Sequence, residues 1–168
     1  FRGDSTLLNE KPGLKKMIRT LFLRWVYRKE DLALYVGSNN RAYYLRHGLE
    51  ERQLILAPHA IDNERFMEPA QAYSVAAKTW KSRLGIGDDE LTVLYAGKME
   101  SLKNLDFILQ LAKRVKEHPL KFILVGNGHL ENELKERAAN QPNVIFMDFQ
   151  NQTRMPVVYR LGDIFIMP

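Results

Sequence analysis

The sequence contains no cysteine. That excludes a disulfide framework and any thiolate metal site, and it fits a reducing compartment. No run of about 20 apolar residues occurs, so no segment reads as a membrane-spanning helix. No basic stretch leads into an apolar segment at the start, so no secretory signal is expected. The first residue is Phe1, and the chain stops at Pro168 directly after the strand-like residues 164–167, where a parallel strand would feed a loop and a helix. Both ends read as cut, and a piece of a larger protein is expected. Low-complexity tracts and internal repeats are also missing. The content itself, 45% hydrophobic and 27% charged over 168 residues, is that of an ordinary globular chain. It excludes a disordered chain, a collagen-like fibre and an integral membrane protein.

Acidic residues are scarce in one place. Between Lys11 and Lys29 stand Lys15, Lys16, Arg19, Arg24 and Arg28 with no acid among them, and this stretch holds most of the net charge of +5. Leu14, Met17, Ile18, Leu21, Phe22, Trp25 and Val26 recur through it at helical spacing. The stretch predicts a basic amphipathic helix. One reading is a domain helix with its apolar stripe buried and its basic face in water. The other is a helix in peripheral contact with an anionic membrane. Nucleic acid is not expected as a partner, because no nucleic-acid motif or array of stacking aromatics accompanies the charge.

Beyond this helix, apolar runs alternate with amphipathic stretches. Strands are expected at residues 32–36, 52–57, 91–96, 122–125, 144–147 and 164–167. Helices are expected at residues 39–47, 73–84, 105–117, 130–139 and 155–161, with residues 60–68 as a connection. Gly37, Gly48, Gly85 and Gly97 punctuate them. Continuous apolar strands separated by amphipathic helices predict an α/β fold with parallel sheets covered by helices on both faces. In such folds ligands bind outside the carboxyl ends of the strands.

Three segments follow strands in that way. Gly97 and Lys98, then Lys103 and Asn104 at a helix start, suit an anion such as a diphosphate, because a helix N-terminus has free N–H groups and a positive dipole end. The bland alternative is two solvated lysines and an Asn cap. Gly126 and Gly128 form a glycine turn opening a helix, and the alternative there is close helix-to-sheet packing. Asp148, Phe149 and Gln150 supply backbone groups and an apolar wall for a base, or simply begin a polar loop.

The ordered set LYAGKMESLKNLDFILQLAKRV, FILVGNGHLENELKE and VIFMDFQNQTRMPVVYRLGDIFIMP resembles the family 4 glycosyltransferases. These are retaining, nucleotide-sugar-dependent enzymes of GT-B fold. The resemblance is close over residues 91–168. It is looser over residues 1–66, where Pro58, Asp62 and Phe66 resemble the inter-domain connection. It implies Rossmann-type sheets, with residues 1–66 as the end of an N-terminal acceptor-side domain. Residues 67–84 would connect it to residues 85–168, an incomplete C-terminal nucleotide-sugar domain. It implies that Gly97, Lys98, Lys103 and Asn104 bind the donor diphosphate, and that Gly126, Gly128, Asp148, Phe149 and Gln150 border the nucleotide. Asp163 matches a structural Asp before the last strand. A cytoplasmic enzyme of polysaccharide assembly, peripheral to a bacterial inner membrane, is implied. It would need no metal or other cofactor and would act on a glycan or lipid-linked acceptor.

The sequence also departs from the family. His129 stands where Pro is common, and the family's E-x7-E motif would begin beyond Pro168, so no catalytic residue is assigned and the piece alone is expected to be inactive. The rival readings are a non-enzymatic nucleotide or phosphate-binding module, a subunit completed by a partner, and a sugar-nucleotide epimerase. Three further groups read as structural. His59 suits a hinge better than an acid or base, Arg2-Gly3-Asp4 spells an integrin-recognition tripeptide but its Asp4-Ser5 suits a strand-end turn or cap, and Asp88-Asp89-Glu90 suits a solvated loop.

Overall fold

The computed structural model describes residues 1–8 and 12–168 and divides into two compact units, Phe1–Ile61 and Asp62–Pro168. Lys11, the first cation of the expected basic helix, lies outside the described residues.

In the first unit, α1 (Leu14–Tyr27) is followed by β1 (Ala33–Tyr35), α2 (Ser38–Arg46) and β2 (Leu54–Leu56). β1 and β2 pair in parallel, and Arg2 adds a parallel bridge to Leu34. Arg2-Gly3-Asp4 therefore begins at a sheet edge, and the Tyr44 hydroxyl donates to the Gly3 carbonyl at 3.1 Å. The core is small and aromatic: Tyr27, Ala33, Tyr43, Tyr44 and Leu49. Burial first, and then the neighbouring Tyr43 and Tyr44, push the Tyr27 hydroxyl pKa up to about 12, so it stays neutral.

The expected buried stripe of α1 is largely not buried. Leu23, Val26 and Tyr27 face the core. Leu14, Met17, Ile18, Leu21, Phe22 and Trp25 are each more than half exposed. The helix has apolar residues on two sides, and among the described residues only the narrower set packs into this unit's core.

The second unit is a three-layer sandwich. Its elements are α3 (Asn63–Met67), α4 (Ala70–Arg83), β3 (Leu91–Ala96), α5 (Leu105–Arg114), β4 (Leu120–Val125), α6 (Glu131–Arg137), β5 (Val144–Met147), α7 (Met155–Tyr159) and β6 (Ile164–Phe165). The strands lie in the order β5-β4-β3-β6, and every pair is parallel. Each central strand buries both faces, as its continuous apolar run requires. Val93, Tyr95, Phe122 and Leu124 pack with Leu105, Ile108 and Leu109 of α5 and Leu134 of α6. Leu94, Ile123 and Val125 pack on the other face with Ala77 of α4 and Val157 and Val158 of α7. The alternation of neighbouring residues between these clusters is the period of two expected of a strand. The helix expected at residues 73–84 forms as α4 and packs in this sandwich, within the stretch 67–84 that the resemblance gave as a connection. α3 lies where only a connection was expected, and the Asp62 carboxylate caps it by accepting from the Arg65 N–H at 3.1 Å.

Candidate functional site

β3 runs into Gly97 and Lys98, β4 into Gly126 and Asn127, and β5 into Asp148, Phe149 and Gln150. These strands are parallel neighbours, so the three turns leave the sheet side by side at its carboxyl rim. Hydrogen bonds continue past the strand ends. Gly97 N–H donates to the Val125 carbonyl at 3.0 Å, Met99 N–H to Asn127 at 2.8 Å, and Gly126 N–H to Met147 at 3.1 Å. The buried Tyr95 ring donates its hydroxyl to the Lys98 carbonyl at 2.8 Å and braces the first turn from below.

Two glycines make this contact possible. Gly126 has φ of 141°, and a methyl group added there would lie 2.0 Å from the Gly97 carbonyl oxygen. One added at Gly128 would lie 2.3 Å from the Met99 carbonyl oxygen. The close approach is turn on turn, where the sequence suggested helix on sheet.

A cleft of about 220 Å³ opens between the turns. Gly97 and Lys98 form one side, Gly126 and Asn127 the floor, and Phe149, Gln150, Gln152 and Met155 the opposite wall. Of the residues expected at a site, the structure brings together Gly97, Lys98, Gly126, Phe149 and Gln150. Phe149 is 64% exposed and offers its ring to the cleft wall. The Lys98 side chain is 76% exposed, and its ammonium lies 3.7 Å from the Glu100 carboxylate, a loose surface pair.

Lys103, Asn104, Gly128 and Asp148 do not line this cleft. Lys103 ends the short helical turn Ser101–Lys103. Asn104 precedes α5 with φ of 43° and makes no side-chain cap bond, so the bland reading of an Asn cap also fails. It opens instead on a separate cavity whose charged residues are the acids Asp106 and Glu133. His129 is exposed, with its Nε2 3.5 Å from the Ser101 hydroxyl. His59, in the first unit, is exposed with its Nδ1 3.3 Å from an Arg2 nitrogen. Gln152 and Met155 were missed because no local motif marks them.

The amino rim of the same sheet is built differently. Thr92 donates to the Asp163 carboxylate through both its N–H and its hydroxyl, each at 2.7 Å, and Lys81 adds an ion pair at 3.3 Å. Burial of Asp163 opposes ionisation, but the Thr92 hydrogen bonds and then Lys81 outweigh it, leaving the carboxyl below the ordinary aspartate range. In the loop Asp88-Asp89-Glu90, Glu90 accepts from Gly87 N–H at 2.8 Å and pairs with Lys121 at 3.4 Å. These residues border a larger cavity of about 480 Å³ whose cations and acids are interleaved. Asp163 is thus structural, as the resemblance implied.

Residues 76–168 match the family described as Glycosyl transferases group 1. That is more than half of the chain, and it includes all three turns of the cleft. The chain belongs to the group 1 glycosyltransferases. Within that relationship it is 31% identical over 161 residues to EpsF of Bacillus subtilis (strain 168), which carries the name glycosyltransferase. The alignment takes in 92% of this chain but 40% of EpsF, so the chain spans about two fifths of the length of this relative. Two solved structures have the same fold. Anabaena Alr3699/HepE in complex with UDP superposes with a TM-score of 0.72 at 14% identity, over 95% of this chain and 44% of that one. WaaG, a glycosyltransferase involved in lipopolysaccharide biosynthesis, superposes with a TM-score of 0.71 at 16% identity, over 99% and 49%. These likenesses establish the GT-B type of α/β architecture for this group 1 chain.

Proposed function

We propose that the carboxyl-rim cleft receives the nucleoside diphosphate of a nucleotide-sugar donor, in a retaining family 4 glycosyltransferase that delivers the sugar to a glycan or lipid-linked acceptor. The observation that carries this reading is the meeting of an exposed cation, glycine turns and an exposed aromatic ring in one cleft at the carboxyl ends of parallel strands. HepE, of the same fold, was solved with UDP.

In this reading Lys98, with Lys103 from the same loop, neutralises the charge that develops on the diphosphate as the sugar bond breaks. That is work a divalent cation would otherwise perform. The loose pairing of Lys98 with Glu100 leaves its ammonium free to turn to a phosphate. Gly97, Gly126 and Gly128 hold the turns close, and Asp148, Phe149 and Gln150 lie against the base, while Asn104 is left out of the diphosphate site because it opens on a separate acidic cavity. The second unit is the donor side and the first the acceptor side. No residue of this chain is assigned to bond cleavage.

The deciding experiment is calorimetric titration of the full chain with UDP, GDP and ADP, comparing Lys98→Ala and Lys103→Ala with Lys113→Ala on the outer face of α5. Weaker binding in the first two alone supports the site. Equal binding by all three variants removes it.

The same reading places the enzyme at the cytoplasmic face of a membrane through α1. Its exposed Leu14, Met17, Ile18, Leu21, Phe22 and Trp25 are flanked by Lys15, Arg24, Arg28 and Lys29, which suits an anionic lipid surface. Co-sedimentation with phosphatidylglycerol vesicles but not phosphatidylcholine vesicles, lost in Trp25→Glu, is the expected result. Equal recovery with both lipids would rule it out.

A further inference from the structure

The cleft wall bearing Gln150 and Gln152 is less firmly rooted than the other two. It is the loop from β5 into α7, whose first residue, Met155, packs against the core, and its own hydrogen bonds are mostly internal. Gln150 Nε2 donates to the Asp148 carbonyl at 3.0 Å, Thr153 N–H to Asn151 Oδ1 at 3.2 Å, and Arg154 N–H to the Asn151 carbonyl at 3.0 Å. Such bonds shape a loop without fastening it. Among the described residues, the side-chain hydrogen bond that reaches this loop from another element comes from Arg65, whose Nη2 donates to the Gln152 carbonyl.

Arg65 is well placed to anchor. It sits on α3, and α3 is fixed to α7. The Phe66 and Tyr159 rings lie with centroids 5.9 Å apart. Arg160 Nη1 donates to the Phe66 carbonyl at 2.8 Å and to the Pro156 carbonyl at 3.2 Å, while its guanidinium lies over the Tyr73 ring at 5.2 Å. Arg65 thus ties the braced pair of helices to the middle of the loop that runs from β5 into α7.

We propose that Arg65 is a positioning residue for the nucleoside end of the cleft. By holding the Gln152 carbonyl it sets where Gln150 and Gln152 stand, without touching the ligand. The diphosphate end, at Lys98, is held separately by Tyr95 and the strand-end bonds. This inference rests on the reading of the cleft as a donor site. It separates two halves of one ligand: loss of Arg65 disturbs recognition of the nucleoside and spares that of the phosphates.

The test uses the full chain, with whichever of UDP, GDP and ADP binds tightest as one probe and inorganic pyrophosphate as the other. Arg65→Ala should weaken the nucleotide about fivefold to tenfold, as expected for losing an indirect charged hydrogen bond. It should leave pyrophosphate binding and the thermal midpoint unchanged. Arg65→Lys, which keeps a donor for the carbonyl, should recover most of the nucleotide affinity. If Arg65→Ala binds nucleotide as wild type does while Lys98→Ala does not, the positioning role is wrong and the donor site stands. If Arg65→Ala weakens both probes alike and lysine restores nothing, Arg65 is a general structural residue. If none of the three nucleotides binds the wild type, the donor reading falls and the inference falls with it.

Discussion

The two rims of the four-stranded sheet are made by the same strands, yet they treat charge in opposite ways. At the amino rim two acids are matched: Asp163 holds two Thr92 donors and Lys81, and Glu90 holds Gly87 N–H and Lys121. At the carboxyl rim Lys98 stands in water in a loose pair with Glu100, and Phe149 is left exposed. A matched rim lowers the energy of the empty protein. An unmatched rim keeps interactions in reserve for a ligand. A cavity of about 480 Å³ borders the amino rim, larger than the cleft, yet two of its charges, Lys81 and Asp163, are already paired with each other.

The comparison predicts that substitutions at the amino rim lower stability without touching nucleotide binding, and that those at the carboxyl rim do the reverse. Gly126→Ala should break this division most severely, because its methyl group would strike the Gly97 carbonyl in a backbone conformation few residues adopt. Urea unfolding should show a loss of about 3–5 kcal/mol, at the extreme of single substitutions. Nucleotide binding should fall with it. Unchanged stability would mean the turns need not touch.

Asp163→Ala comes next. Losing the charged hydrogen bonds to Thr92 should lower stability by about 2–3 kcal/mol, with little from the exposed Lys81 pair. Nucleotide affinity should be unchanged. The pKa of Asp163 is lowered in the folded protein, so its contribution is full above the ordinary aspartate range and fades as pH falls through the lowered value. The gap between wild type and Asp163→Asn in urea midpoints should therefore close on acidification below about pH 4. A gap that persists there would assign the effect to packing.

Lys98→Ala should do the opposite of Asp163→Ala. Nucleotide affinity should fall by about tenfold to a hundredfold, for the loss of one charged hydrogen bond, with no change in the urea midpoint. The loss should shrink as salt rises, because the side chain is exposed. A salt-independent loss would point to a structural role.

The smallest effect sharpens the contrast. Glu100→Gln frees Lys98 from its surface partner and should tighten nucleotide binding by about twofold, the scale of such a pair. Weaker binding would place Glu100 on the ligand's side of the balance.

The candidate site was only partly legible in the sequence. Gly97, Lys98, Gly126, Phe149 and Gln150 directly follow apolar runs, and the rule that strand ends gather ligands was enough to select them. Lys103 and Asn104 satisfied the same rule, but the intervening turn Ser101–Lys103 carries them out of the cleft lining. Gln152 reaches it from a loop with no signature, and Met155 from the start of α7. α3 has five residues, too few to show a helical period, although Asp62 before it was a readable cap.

What the sequence determined by itself was the architecture of the second unit. Hydrophobic period and length depend on neighbours along the chain, so runs such as residues 91–96 and 122–125 announce strands buried on both faces and the helices between them announce parallel crossovers. The amphipathic period of α1 was equally plain, but which of its apolar sides meets the protein was not, since Tyr27 goes inward and Trp25 outward only because the Tyr43–Tyr44 core lies on one side. Tertiary structure alone decided the pairings between residues far apart: Thr92 with Asp163, 71 residues away, and Arg65 with Gln152, 87 away. A hydrogen bond requires its partners within about 3 Å, and no local pattern encodes a distance that exists only once the sheet has brought remote segments together.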